Sequence, residues 1–352
     1  MDRRTLIRFA ATSGAAAVTG LGVAGRAAHA SPKRCLTVAT DGSGDFTSIQ
    51  AAVDAVPSGN TSRFTIKIKA GVYAGQVIVP ADKPNIALCG QAADPAQVVI
   101  TDDRANGTPR PDGGTWGTSG SASVTVDGAN FSARNLTLAN SFDEAAHPEI
   151  ANKQAVAVLT RADRLIFENV RFIGNQDTLY LNSPSADVPA RIYLRGCYVE
   201  GDVDFIFGRG TAVLDHCRIH SISRGSTSNN GYVTAPSTGV ANPYGLLFSA
   251  CRFTSDAPPA SVYLGRPWHP SNDPNAIGQT VIRESTLGAH IGPTPWSDFG
   301  TWPWRDARFA EYHNRGPGAL VTADRPQLTD AQAAACTPAA YLAGTDGWTP
   351  QC

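Results

Sequence analysis

An eight-residue pattern that returns six times at uneven intervals constrains this chain more than any other feature. It reads FSARNLTL at 131–138, LIFENVRF at 165–172, IYLRGCYV at 192–199, AVLDHCRI at 212–219, LLFSACRF at 246–253 and TVIRESTL at 280–287. The starts are separated by 34, 27, 20, 34 and 34 residues. The sixth position is small or apolar (Leu136, Val170, Cys197, Cys217, Cys251, Ser285) and the eighth is apolar (Leu138, Phe172, Val199, Ile219, Phe253, Leu287). With polar residues between them, this is the two-residue period of strands with one face inward. Propellers and helical repeats keep a near-constant unit length. A parallel β-helix does not, because each coil adds a short strand per side and places extra length in outward loops. The pattern therefore predicts an all-β solenoid, a parallel β-helix.

The ends read differently. The segment at 46–57 predicts a short helix, capped by Thr47 or Ser48, that covers the open first coil. Thr329 opens a second helical segment near the C-terminus, packed on the outside or on the last coil. With no low-complexity linker in between, residues 31–352 read as one domain.

Residues 1–30 read as an export signal. Arg3 and Arg4 precede Leu6 and Ile7, a glycine-broken apolar stretch follows, and Ala28-His29-Ala30 forms an A-x-A cleavage site. The paired arginines indicate the twin-arginine route. The apolar stretch is too weak for a membrane anchor. Cleavage after Ala30 removes four arginines and one aspartate, leaving 25 basic and 29 acidic residues and a formal charge of −4. No basic run survives, so neither nucleic acid nor an anionic membrane is an expected partner. A secreted monomer, in the periplasm or the medium, is the expectation.

The chain carries seven cysteines, and an odd number leaves at least one unpaired within the chain. Cys197 and Cys217 occupy the same position in coils only 20 residues apart. Equivalent residues of adjacent coils lie about 4.8 Å apart, within the roughly 4.4–6.8 Å Cα range of a disulfide. A Cys197–Cys217 bond is expected on export, the alternative being a buried reduced ladder of Cys197, Cys217 and Cys251. Neither a CxxC nor an HExxH segment occurs, so no metal and no cofactor is expected.

Four segments carry chemistry: KQAVAV at 153–158, QDTLY at 176–180, GDVDFIFG at 201–208 and LGRPW at 264–268. The first three lie about one coil apart and can stack into one patch, towards which Arg266 must reach back. Two neighbouring carboxylates, Asp177 and Asp204, cannot both ionise freely, and an arginine beside one keeps that one charged. This divides an ionised nucleophile from a protonated acid. Gln154 and Gln176 supply neutral N–H donors suited to an oxyanion that develops during reaction. The combination describes ester hydrolysis better than glycoside cleavage, which needs no oxyanion hole.

QDTLY, GxVDFIFG and LGRPW, in this order and spacing, resemble the pectin methylesterases (pectinesterases) of the bacterial type, and the resemblance runs over nearly all of the mature chain. It implies a right-handed parallel β-helix and hydrolysis of galacturonate C6 methyl esters in pectin. It implies Asp204 as nucleophile, Asp177 as acid and then base, Gln176 and Gln154 as the oxyanion pair, and Arg266 as the residue that holds the nucleophile. Thr118, Gln154, Tyr180, Val203, Phe207, Arg224, Arg266 and Trp268 are implied to contact the polymer. One departure stands out: Asp202 precedes VDF where the family has Thr or Ser. Strand alternation would put it on the face of Asp204, where a third carboxylate raises its neighbours' pKa values and favours neutral to alkaline activity.

Other classes fit less well. A lyase on the same fold would need a calcium-binding carboxylate cluster. A non-catalytic β-helix would have lost Asp177, Gln176 or Arg266. A serine esterase would need a GxSxG elbow, which is absent.

Overall fold

The computed structural model describes residues 34–351, so the export signal read at 1–30 lies outside the described residues. Within them, parallel strands stack along three sides. One stack runs Cys35–Val38, Phe64–Ile68, Ile86–Gly90, Ser132–Asn140, Leu165–Ile173, Arg191–Arg195, Thr211–Asp215, Leu246–Ser249, Gln279–Arg283, Arg308–Tyr312. A second is built from Gly71–Ala74, Val98–Asp102, the far halves of Ser132–Asn140 and Leu165–Ile173, then Tyr198–Gly201, Arg218–Ser221, Arg252–Ser255 and Thr286–Leu287. The third is a separate seven-stranded sheet, from Val77–Val79 through Val124–Val126, Val158–Thr160, Leu179–Leu181, Val203–Gly208 and Tyr232–Pro236 to Tyr263–Gly265. This is the expected parallel β-helix.

The repeat read from the sequence is the register of the solenoid. Its first position pairs Leu165 with Ile192, Ile192 with Ala212, Ala212 with Leu246 and Leu246 with Thr280. Its eighth pairs Leu138, Phe172, Val199, Ile219, Phe253 and Leu287 in succession. The fifth position has a role the sequence did not announce. Asn135, Asn169, Gly196, His216, Ala250 and Glu284 all have left-handed backbone, with φ between 51° and 59°. Each such residue turns the chain from the first stack into the second. Asn, His and Gly suit that conformation, whereas Ala and Glu are held in it by the rungs on either side. The small or apolar sixth residue then points into the corner.

Phe167, Phe172, Phe248 and Phe253 fill the interior, each at most 2% exposed. The helix Ile49–Asp54, capped by Ser48, inserts Ile49, Ala52 and Val53 into the same core at the N-terminal end. Thr329 forms a capping box for the helix Asp330–Ala334. A further helix, Pro338–Ala343, lays Tyr341 and Leu342 on the outer face of the first stack, against Tyr193, Val213 and Leu247.

The expected Cys197–Cys217 bond is corrected by the structure: both are buried free thiols, and Cys251 beside them is another. In-register neighbours project their side chains in the same direction. Each sulfur here is instead within hydrogen-bonding distance of a carbonyl, Phe167 O for Cys197, Leu194 O for Cys217 and Leu214 O for Cys251. The reduced ladder is the arrangement found.

Candidate active site

The seven-stranded sheet assembles the residues singled out above. Leu179 pairs with Ile206 and Tyr180 with Phe207, which brings the preceding residues Asp177 and Asp204 onto adjacent rungs. The backbone N–H of Asp177 donates to the carbonyl of Val203 at 3.0 Å. Both aspartates have left-handed backbone, φ 67° for Asp177 and 51° for Asp204. Asp204 lies where the ladder to Tyr232–Pro236 shifts register, between Val203 and Ile206. Non-glycine residues in this region carry a local energetic cost that recurs at functional sites.

Local chemistry holds these turns. Thr178, fully buried, donates to the carbonyls of Asn175 and Glu200 through one bifurcated hydroxyl contact at 3.0 and 2.9 Å. Gly201 has no room for a side chain, since a Cβ there would sit 2.3 Å from Cβ of Phe205. Gly208 has φ +118° and would place a Cβ 2.2 Å from the carbonyl oxygen of Leu181. The glycines at both ends of GDVDFIFG are thus steric requirements of the turn that presents Asp204.

Arg266 reaches back two rungs, as the sequence required. Its Nε donates to Asp204 Oδ1 at 2.8 Å and its Nη2 to Oδ2 at 2.6 Å, a two-pronged fork. The guanidinium is held from its faces by Tyr232, 3.9 Å from the ring centre, and Phe299, at 4.6 Å. Tyr232 itself stacks on Tyr263 at 5.2 Å. Sequence reasoning missed Tyr232 and Phe299. Tyr232 carried the signal of an aromatic on the rung paired with Tyr263–Gly265, and Phe299 carried none.

The two carboxyls are electrostatically unequal. Asp177 is 8% exposed and Asp204 7%. Burial, followed by the neighbouring Asp204 charge, drives the Asp177 carboxyl well above the usual carboxylate range. Burial also leaves Asp204 above the usual carboxylate range, while the hydrogen bonds and charge of Arg266 oppose that rise. Among the described residues no hydrogen bond reaches the Asp177 carboxylate, and Asp204 has two from one arginine. The pair is therefore unequal: burial and the Asp204 charge favour the neutral form of Asp177, whereas Arg266 favours the anion at Asp204.

Gln176 and Gln154 flank this pair, with the N–H of Ala155 donating to the Gln176 carbonyl at 3.1 Å. Among the described residues the buried Gln154 side-chain oxygen has no hydrogen-bond partner. Thr118 belongs to the same edge. Asn106 donates to its hydroxyl at 2.9 Å and, through its own backbone N–H, to the Gln154 carbonyl at 2.7 Å. Asn106 is a third residue the sequence did not mark. Tyr180, Phe207 and Trp268 form one aromatic cluster, with Tyr180 and Phe207 stacked at 4.1 Å and Trp268 edge-on to both. Val203 is half-buried between the two aspartate turns.

Asp202 also belongs to the site, immediately before the strand that begins at Val203. Its Oδ1 accepts from the Val203 N–H at 2.6 Å and its Oδ2 from Arg224 Nη1 at 3.1 Å. Burial raises its pKa and Arg224 lowers it, and its charge in turn raises both Asp177 and Asp204.

Fold and site together define a solenoid enzyme of the carboxylate-pair type, with an arginine-held aspartate, a second buried aspartate and two glutamines in one groove. The chain belongs to the pectinesterase family, whose sequence profile, described as Pectinesterase, matches residues 35–344. It is 39% identical over 338 residues to Pectinesterase A of Dickeya chrysanthemi, covering 87% of this chain and 88% of that protein. It is 38% identical over 314 residues to a pectinesterase of Ralstonia solanacearum, covering 80% of this chain and 79% of that one. Among solved structures, a pectin methylesterase in complex with a hexasaccharide superposes with a TM-score of 0.81 at 36% identity, covering 90% of this chain and 98% of that chain. The fold is accordingly the right-handed parallel β-helix of these enzymes.

Proposed function

We propose that the protein hydrolyses methyl esters of galacturonate units in pectin, with Asp204 as nucleophile and Asp177 as acid and then base. The observation that carries this reading is the unequal treatment of two buried carboxyls, one gripped by Arg266 and one left without a cationic hydrogen-bond partner.

In this mechanism a carboxylate oxygen of Asp204 attacks the ester carbonyl carbon. The oxyanion of the tetrahedral intermediate is received by N–H donors of Gln154 and Gln176, which stabilise charge only as it develops. Asp177 gives its proton to the departing methanol oxygen. It then removes a proton from water, which hydrolyses the Asp204 acyl intermediate and restores both carboxyls. Thr118, Tyr180, Val203, Phe207, Arg224 and Trp268 line the groove for the polymer. Trp268 and the Tyr180–Phe207 stack supply flat apolar faces suited to sugar rings. The likeness to a pectin methylesterase bound to a hexasaccharide supports a polysaccharide substrate.

A polymer of this kind is met outside the cell, and the twin-arginine signal read at 1–30 accounts for export of the folded enzyme. The test is release of methanol from highly methylated pectin by purified protein. Absence of methanol overturns the reading.

A further inference from the structure

Asp202 is 6% exposed and sits at the corner between Tyr198–Gly201 and Val203–Gly208, two residues before the proposed nucleophile. Its partner Arg224 has a side chain 41% exposed. The backbone that carries Arg224 is fixed. The N–H groups of Arg224 and Ser226 both donate to Asn230 Oδ1, at 2.8 and 3.1 Å, and the fully buried Asn230 side chain donates to Ser261 Oγ at 2.9 Å. A cation is thus held at the groove and covered by a carboxylate the chain has placed beneath it.

Two further groups adjoin this pair. The Glu144 carboxyl feels the charges of Asp202, Arg224 and Lys153, and its Oε1 is buried without a partner. Lys153 donates to the Glu144 carbonyl. Arg224 is thus paired with Asp202 as Arg266 is paired with Asp204, so each of these two arginines meets the groove with a carboxylate partner.

This balance matters because the substrate units differ by one charge. An esterified galacturonate is neutral, and each turnover converts one into an anion. An unopposed Arg224 would attract a freed carboxylate, whereas an Arg224 neutralised by Asp202 can donate to a neutral ester or hydroxyl without that attraction. We propose that the Asp202–Arg224 pair is a specificity device that makes the groove favour methyl-esterified units beside the one being hydrolysed over de-esterified ones. It rests on the pectinesterase reading above and adds which neighbours the site accepts. Its consequence is dispersed attack, because a freshly formed carboxylate disfavours rebinding of the adjacent unit.

The test compares methanol release by the full enzyme from pectins of high and low methylation and equal chain length, as the ratio of kcat/KM per ester. The wild type is expected to favour the highly methylated polymer, and D202N to lower that ratio roughly three- to fivefold. D202N introduced into R224A is expected to change the ratio little, since the effect runs through Arg224. Retention of D202N and wild type on fully de-esterified polymer in affinity electrophoresis reads the same effect without turnover, and tighter retention of D202N is expected. An unchanged ratio with unchanged retention, or an equal effect of D202N with and without Arg224, overturns the inference. Wild-type methanol release in the same series tests the pectinesterase reading separately.

Discussion

Arg266 grips both oxygens of Asp204, at 2.8 and 2.6 Å, while Asp177 on the adjacent rung is left with burial and a neighbouring negative charge. In the proposed mechanism that asymmetry divides two chemically identical side chains into a nucleophile and an acid.

The fork should be sensitive to shape as well as charge. R266K keeps a cation but loses the planar pair of donors and its fit between Tyr232 and Phe299. Methanol release should fall about 10²-fold in R266K and further in R266A. Arg266 lowers the Asp204 pKa, so its removal should also move the acidic limb of the rate profile to higher pH. A pH–rate series on R266A checks the sign.

The wild-type profile of kcat/KM should be bell-shaped. Activity rises as Asp204 ionises and falls as Asp177 loses its proton. Asp202 raises both groups, so D202N should shift both limbs to lower pH. A profile that does not move would show that Asp202 is not coupled to the pair.

Q154A and Q176A should each lower kcat by about 10²-fold, with smaller effects on KM, because their donors act mainly on an oxyanion that exists only beyond the ground state. Michaelis–Menten series on esterified pectin separate the two constants. Loss confined to KM would assign these glutamines to binding alone.

Asp177 should lower the stability of the fold at neutral pH. Its folded pKa is raised, so its contribution is most favourable below the unfolded value, about 3.9, and is lost as pH rises towards the folded pKa. D177N removes this penalty. Thermal unfolding should show D177N more stable than wild type at pH 7, with the difference vanishing near pH 3.

Much of this was legible in the sequence. The six-fold pattern yielded the register rung by rung, because a solenoid aligns equivalent residues and a two-residue period has one inward face. QDTLY and GDVDFIFG marked the aspartates because their turns require Thr178, Gly201 and Gly208. Three things were hidden. The left-handed corners at Ala250 and Glu284 are imposed by neighbouring rungs, against residue preference. Phe299 comes to Arg266 from a distant loop that no local pattern ties to the site. The free thiols of Cys197 and Cys217 each lie near a backbone carbonyl, a contact that Cα spacing does not encode.

The most direct test of the central claim is methanol release from highly methylated pectin by D204N beside wild type, with folding checked by circular dichroism. Loss of at least about 10³-fold in a folded D204N protein is the expected result. Near-wild-type release by that variant would contradict the assignment of Asp204 as nucleophile.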